Sequence, residues 1–501
     1  MPRKDMRVLF VSAEIFPLAK TGGLADVCAA LPAILSELGV DVRLMMPAYP
    51  QALASAIGQQ VIAELPELLG APPCRIISAL TPDTHLPLLL LDCPALYRRK
   101  GGPYQASDGR DWPDNAQRFA LLSRVAADVA VGQVLPEWRA DVVHGNDWHT
   151  GLLPLYLSLI GGYRPGTLLT IHNLAFQGVF PREIFDLLSL PAGAFTPDGV
   201  EFHGAVSFLK AGIRYSDKLT TVSPTYAQEI LTPALGCGLD GLLKTRAADF
   251  VGILNGIDEQ VWSPANDCHL PEPYDAARLE GKQRCKAHVQ RELDLADDAR
   301  PLVAIVSRLT QQKMSDTVAG SVGKIIAQGA QVALVGDGDK EIESAFLNVA
   351  HDYPGRVAVR IGYQEPLAHR LFAGADLLLA PAHFEPCGLT PIYAMRYGTL
   401  PIVRSTGGMA DAVIPANQET IREGTATGFA FERATGEDML ACLGHALTIY
   451  EDSSSWRQIQ LRAMGRQSGW TKAAGEYLTL YEGLVCERAS NGCVHNNGTT
   501  S

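Results

Sequence analysis

The chain has 501 residues, 47% hydrophobic and 19% charged, which is too long for one ordinary core and too apolar for a disordered chain, so two packed domains are expected. A net charge of −12 gives no long-range pull toward nucleic acid or an anionic membrane, which excludes both as partners and leaves any bound anion to local positive charge. Ten cysteines without C-x-x-C spacing point to neither a zinc site nor a disulfide framework and fit a reducing, cytoplasmic setting, and no apolar run is long enough for a secretion signal or a membrane span.

In chain order, short apolar runs predict strands at residues 8–12, 40–46, 88–91, 142–144, 168–171 and 219–222. After the first strand, Leu24, Val27, Cys28, Leu31, Leu35 and Leu38 recur at helical spacing. The Asn-Gly turn in "GILNGIDEQVWSP" closes this half, and the polar, helical stretch to Arg300 reads as a hinge or insertion. The alternation restarts with "PLVAIVSRL", "QVALVGDG", "RVAVRIGY", "ADLLLAPA" and "LPIVRST". Short strands alternating with amphipathic helices predict an α/β protein of two Rossmann-like, doubly wound domains facing a cleft. The expected division is 1–258 for the first domain, 259–300 for the hinge or insertion, 301–485 for the second domain, whose last helices are free to pack back on the first, and 486–501 for a polar, disordered tail.

Chemistry concentrates at the carboxyl ends of these strands. In "KTGGLADV", Gly22 and Gly23 can aim backbone N–H groups at an anion beside a helix start and Lys20 adds a full charge, although a tight strand-to-helix turn also favours glycine. In "VSRLTQQKMSD", Arg308 and Lys313 follow a strand and suit a diphosphate leaving group, against the ordinary reading of surface charge. In "HFEPCGLTPIYAM", Glu385 can hold sugar hydroxyls or positive charge, or cap the helix that Gly388, Leu389 and Thr390 begin; Cys387 lacks a partner base and reads as a packed thiol. "HGNDWHTG" and "TIHNLAFQG" place His144 and His172 at predicted strand ends, with Asp147 and Trp148 offering a carboxylate and a flat apolar face. A second diglycine corner, "STGGMADAV", has Ser405 where the first has lysine and reads as a packing turn.

Together with "EIFPLAKTGGLADV", "VSFLKAG", "TTVSPTYAQEI", "ILNGID" and "FEPCGLTPIYAMRYGTLPIV", these motifs run in order from Arg7 to about Leu484, and the chain resembles bacterial glycogen synthases and plant starch synthases, retaining glucosyltransferases of the two-domain GT-B fold. The resemblance implies glucose transfer from ADP-glucose to the nonreducing 4-hydroxyl of glycogen or another α-1,4-glucan, with no metal and no cofactor. By the same resemblance Lys20 and Gly23 approach donor phosphates and acceptor, Asp147 and His172 line the glucose pocket, Arg308 and Lys313 stabilise the departing diphosphate, and Glu385 holds the transferring sugar. Cys387, Gly388, Leu389 and Thr390 form the loop against sugar and phosphate, and Tyr363 stacks on the nucleobase. The sequence departs from the pattern at Met314, where the family has glycine, at Ala382 and His383, where Ser and Arg are common, and at Asn146 in place of a frequent histidine. Two rival readings stay open: a nucleotide-sugar epimerase on the same architecture, and a noncatalytic glucan-binding protein, the latter motivated by Met314.

Overall fold

The computed structural model describes residues 6–362 and 364–496. The chain folds into two compact units, one formed by the chain up to Val222, Ala227–Ile253 and the chain from Trp470 onward, the other by Ser223–Tyr226 and Leu254–Gly469.

The first unit holds β1 (Arg7–Val11), β2 (Asp41–Pro47), β3 (Ile57–Leu65), β4 (Cys74–Leu80), β5 (Pro87–Asp92), β6 (Val142–Asn146), β7 (Gly166–Ile171), β8 (Val179–Phe180), β9 (Glu201–Phe202), β10 (Ala205–Ser207), β11 (Lys218–Thr221) and β12 (Phe250–Gly252). Nine of them make one sheet in the order β12-β11-β7-β6-β1-β2-β5-β4-β3, while β8, β10 and β9 form a small antiparallel sheet. At the centre Val8 of β1 lies opposite Val42 of β2 and Val142 of β6, all three strands parallel. Val8 to Val11 are buried on both faces, the continuous apolar run that a helix-covered parallel sheet demands. The helix Gly23–Glu37 packs Val27, Cys28, Leu31 and Leu35 into that core. Leu38, expected on the same face, follows the end of this helix and is exposed.

The second unit holds β13 (Leu302–Val306), β14 (Gln331–Gly336), β15 (Val357–Ile361), β16 (Leu377–Ala380), β17 (Leu400–Arg404) and β18 (Phe429–Phe431), paired in the order β15-β14-β13-β16-β17-β18 and parallel throughout. In both units the strand order reverses beside the first strand: between β1 and β6 in one, between β13 and β16 in the other. Such switch points splay the loops that follow the two strands and leave a crevice at their carboxyl ends. Residues 12–22 and 147–150 therefore border one crevice, and residues 307–314 and 381–388 the other.

Three expectations are corrected. The antiparallel strands β3 and β4 add to the expected set: β3 is exposed along most of its length and carries no apolar run, and two register shifts break its pairing with β4. Residues 259–300 form no separate hinge: Trp262, Tyr274, Leu279, Cys285 and Val289 are buried in the second core. The polar tail from residue 486 continues the helix Thr471–Asn496, which belongs to the first unit through buried Tyr477, Tyr481 and Leu484. Arg488 bonds Asp217 and Glu487 pairs with Lys218 at 3.3 Å, so ion pairs hold a stretch with little apolar content. Residues 497–501 lie outside the described residues.

Candidate active site

In the first unit, the loop after β1 is built around a buried carboxyl group. Glu14 is 2% exposed and accepts from the Thr21 backbone N–H, the Thr21 hydroxyl and the Tyr104 hydroxyl. Burial raises its pKa against the opposing effect of those bonds. Tyr104 is itself fixed from behind, since Asn115 donates to its carbonyl at 2.9 Å and the deeply buried Arg118 donates to Pro103 O at 2.8 Å. Glu14 and Tyr104 were missed in the sequence because nothing in their spacing, 90 residues apart, brings them together. Lys20 stands half-exposed in the same loop and donates to Asp26 at 2.8 Å on the first turn of the following helix.

Asp147, at the end of β6, adopts φ 60° and ψ −174°, a backbone region natural to glycine and costly, on the order of 1–3 kcal/mol, for any other residue. Its Oδ1 is buried without a partner, and burial pushes its pKa up to about 8, opposed by the backbone N–H groups of Trp148 and His172. Strain, an orphaned oxygen and a carboxyl pKa raised by burial make Asp147 a candidate ligand-site residue. His172, just past β7, is kept neutral by burial, its pKa pushed down to about 3. Asn146 donates through Nδ2 to Val11 O at 3.1 Å, which turns Oδ1 toward His172 Nε2 at 3.0 Å. The imidazole proton therefore sits on Nε2 and Nδ1 is left as an acceptor. The departure at Asn146 thus has a structural role, to orient His172. His144 does not reach the crevice: it is fully buried within β6, where Nδ1 meets Tyr481 OH at 2.7 Å and Nε2 meets Thr170 Oγ1 at 2.6 Å.

In the second unit, Lys313 and Glu385 come together as a salt bridge, both largely buried, from the loops after β13 and β16. They share a pocket with Ser307, Ser315 and Thr390. Arg308, on the same loop as Lys313, is exposed. The two loops are tied by His383 N–H to Gln312 O at 2.8 Å and Gln312 Nε2 to Phe384 O at 3.2 Å. Arg404 clamps the second loop by donating to Ala382 O at 2.8 Å and His383 O at 2.6 Å. Gly388, φ 80°, caps the helix Leu389–Arg396. Cys387 is buried and its thiol is pushed up to about 12, so it is no nucleophile. Met314 occupies a left-handed position, φ 50° and ψ 28°, directly before the helix Ser315–Ala327, which explains why glycine suits it; the methionine side chain is fully buried. Tyr363 lies outside the described residues.

The second diglycine corner serves this loop. Gly408 N–H donates to Glu385 O at 3.1 Å, and a Cβ on Gly408 would sit 2.0 Å from Cys387 O.

Comparison with known proteins places the chain in a family. Residues 7–245 match the family model of the starch synthase catalytic domain, and residues 300–443 that of glycosyl transferases group 1. The chain is 52% identical to a glycogen synthase of Burkholderia thailandensis, covering 96% of this chain and 91% of that one, and 48% identical to a glycogen synthase of Paramagnetospirillum magneticum, covering 96% and 98%. Among solved structures it resembles the catalytic domain of starch synthase IV from Arabidopsis thaliana, bound to ADP and acarbose, with TM-score 0.87 and 30% identity over 96% of this chain and 99% of that one. A sucrose-phosphate synthase from Thermosynechococcus elongatus, TM-score 0.60 and 16% identity, shares the fold alone, over 96% of this chain and all of that one. The chain belongs to the glycogen and starch synthase family of GT-B glycosyltransferases.

Proposed function

We propose that this enzyme transfers glucose from ADP-glucose to the nonreducing 4-hydroxyl of glycogen or a related α-1,4-glucan, with retention at the anomeric carbon. The observation that carries the reading is the Lys313–Glu385 pair at the switch point of the second unit. Breaking the C1–O bond leaves negative charge on the diphosphate, and a fixed lysine with Arg308 on the same loop stabilises that charge as it develops. Glu385 holds Lys313 in place and offers a carboxylate to the transferring sugar. The N–H groups that open the helix at Leu389 and Thr390 suit a phosphate oxygen. The departing phosphate oxygen takes the proton of the incoming 4-hydroxyl on the face it leaves from, so the new C1–O bond forms with the old configuration.

The first unit supplies neutral, directional hydrogen bonding. Within the first unit, His172 presents Nδ1 as an acceptor for a sugar hydroxyl, protonated Asp147 can donate, and Lys20 with the Gly22–Gly23 corner adds positive potential for an anionic group. Two cations at the leaving group fill the part a divalent metal plays in other phosphate-transfer sites, which supports a reaction without metal or cofactor. The comparison structure bound to ADP and acarbose supports an adenine nucleotide and a glucan-like sugar. Among the described residues no helix is long and apolar enough to cross a membrane, and nine cysteines are unbridged; these support a cytoplasmic location.

The test is direct. Purified enzyme with ADP-glucose and glycogen releases ADP and lengthens the glucan; no release overturns the proposal. Lys313→Ala lowers kcat by about two orders of magnitude, the scale for removing a charge stabiliser from a leaving group.

A further inference from the structure

The segment from His172 to Val179, between β7 and β8, is fixed backbone carrying an unburied aromatic ring. Ala175 N–H donates to Asn173 Oδ1 and Phe176 N–H to Asn173 O, both at 3.1 Å. Leu209 N–H donates to Gln177 O and Phe208 N–H to Gly178 O, both at 3.1 Å, and Gln177 Nε2 reaches Cys237 O at 2.8 Å. Gly178, φ 58°, lies so close on Trp148 that a Cβ there would be 2.2 Å from the indole. Trp148 in turn follows the strained Asp147. The strip is thus turned on itself at Asn173 and tied to the rest of the first unit at Gln177 and Gly178, with Gln177 Oε1 buried and unpaired within it.

Phe176 is 52% exposed, more than any other large apolar side chain described. Leaving a phenylalanine in water forgoes the hydrophobic gain of burying it, and the backbone tied at Gln177 and Gly178 offers no adjustment that would recover it. A rigid aromatic held in water four residues from a sugar-facing histidine is a preorganised stacking surface. The apolar faces of a glucose ring, with their C–H bonds directed outward, suit the electron-rich face of a phenyl ring.

We propose that Phe176 is a glucan-binding platform, on which a glucose unit of the acceptor chain stacks when its nonreducing end is presented for transfer. The proposal rests on the glucan-extending reading above. Phe176 touches substrate through its ring face alone and takes no part in bond making. Its contribution is to glucan affinity and not to donor chemistry.

Two measurements separate this proposal from the reading it rests on. Steady-state kinetics with ADP-glucose and glycogen are compared for the wild type, Phe176→Ala and Phe176→Trp. Phe176→Ala raises the KM for glycogen about tenfold and leaves the KM for ADP-glucose and the melting temperature unchanged, while Phe176→Trp retains the wild-type KM for glycogen. An unchanged KM for glycogen in Phe176→Ala overturns the platform while leaving the reaction standing. Titration of maltohexaose into both proteins without donor reads the same contact even if no transfer is seen. Binding weakened about tenfold by Phe176→Ala supports the platform, and wild type binding maltohexaose no better than Phe176→Ala overturns it.

Discussion

The two diglycine corners are near-copies in sequence and opposites in structure. At the first, Gly23 is exposed and Gly22 partly so, and a Cβ on Gly22 would meet no atom within 4 Å. At the second, the space of a Cβ on Gly408 is already taken by the Cys387 carbonyl, and the corner braces the loop that carries Glu385. The same strand-corner-helix unit is therefore used once as an exposed loop and once as a buttress. The surroundings follow suit: the first unit holds buried acids whose pKa values burial raises, Glu14 and Asp147, whereas the second corner supports a formed ion pair, Lys313–Glu385.

The largest effect is expected from breaking the buttress. Gly408→Ala drives a methyl into backbone that cannot move without displacing Glu385, and should cost about 3 kcal/mol or more, with activity falling alongside. Urea midpoints and ADP release measured on the same preparations check both.

The next effect concerns Asp147. Its folded pKa, about 8, lies above the unfolded carboxyl value near 3.8. The native state keeps a proton that the unfolded chain gives up, so this contribution to stability is complete below about pH 4 and is lost as pH rises through 8. Asp147→Asn removes the dependence: its stability advantage over the wild type should grow from pH 5 to pH 8 and then level off. Melting temperatures at pH 5, 7 and 9 read the trend, and a flat difference would show that the carboxyl is ionised throughout. His144, His149 and His172 act at the other end. Burial lowers all three, so their share is present above about pH 6.5 and is lost as pH falls toward the folded values.

Met314→Gly sets two effects against each other. Relief of a left-handed non-glycine residue gains roughly 1 kcal/mol, but emptying a fully buried methionine site costs roughly 2–5 kcal/mol. The cavity wins, and the variant should be less stable by about 1–4 kcal/mol in denaturant titration, although glycine is the residue expected there from the family. The smallest change is Gly22→Ala, which meets no neighbour and has extended backbone at φ −162°. Its stability should stay within about 0.5 kcal/mol of the wild type, while the KM for ADP-glucose reports whether the open corner serves the donor.

Most strands of both sheets were legible because parallel strands under helices on both faces must be apolar throughout, as Val8–Val11 and Leu302–Val306 are. The Ile57–Leu65 strand was not, because its residues face water and its place comes from hydrogen bonding to β4. The helical run past residue 486 was not, because its anchors, Asp217 and Lys218, lie far back in the chain. Among the candidate site residues, Lys20, Asp147, His172, Arg308, Lys313 and Glu385 lie in motifs that follow strands and can be read locally. Glu14 and Tyr104 could not.

What the sequence by itself determined is the kind of protein and the chemical groups at its disposal, because hydrophobic periodicity dictates local structure and glycine, lysine and carboxylate spacing dictates what a strand-end loop can hold. Only the tertiary structure decided which groups are charged and which corner is open. Desolvation, orphaned oxygens and close backbone approach depend on neighbours brought from distant parts of the chain, and no local pattern encodes them.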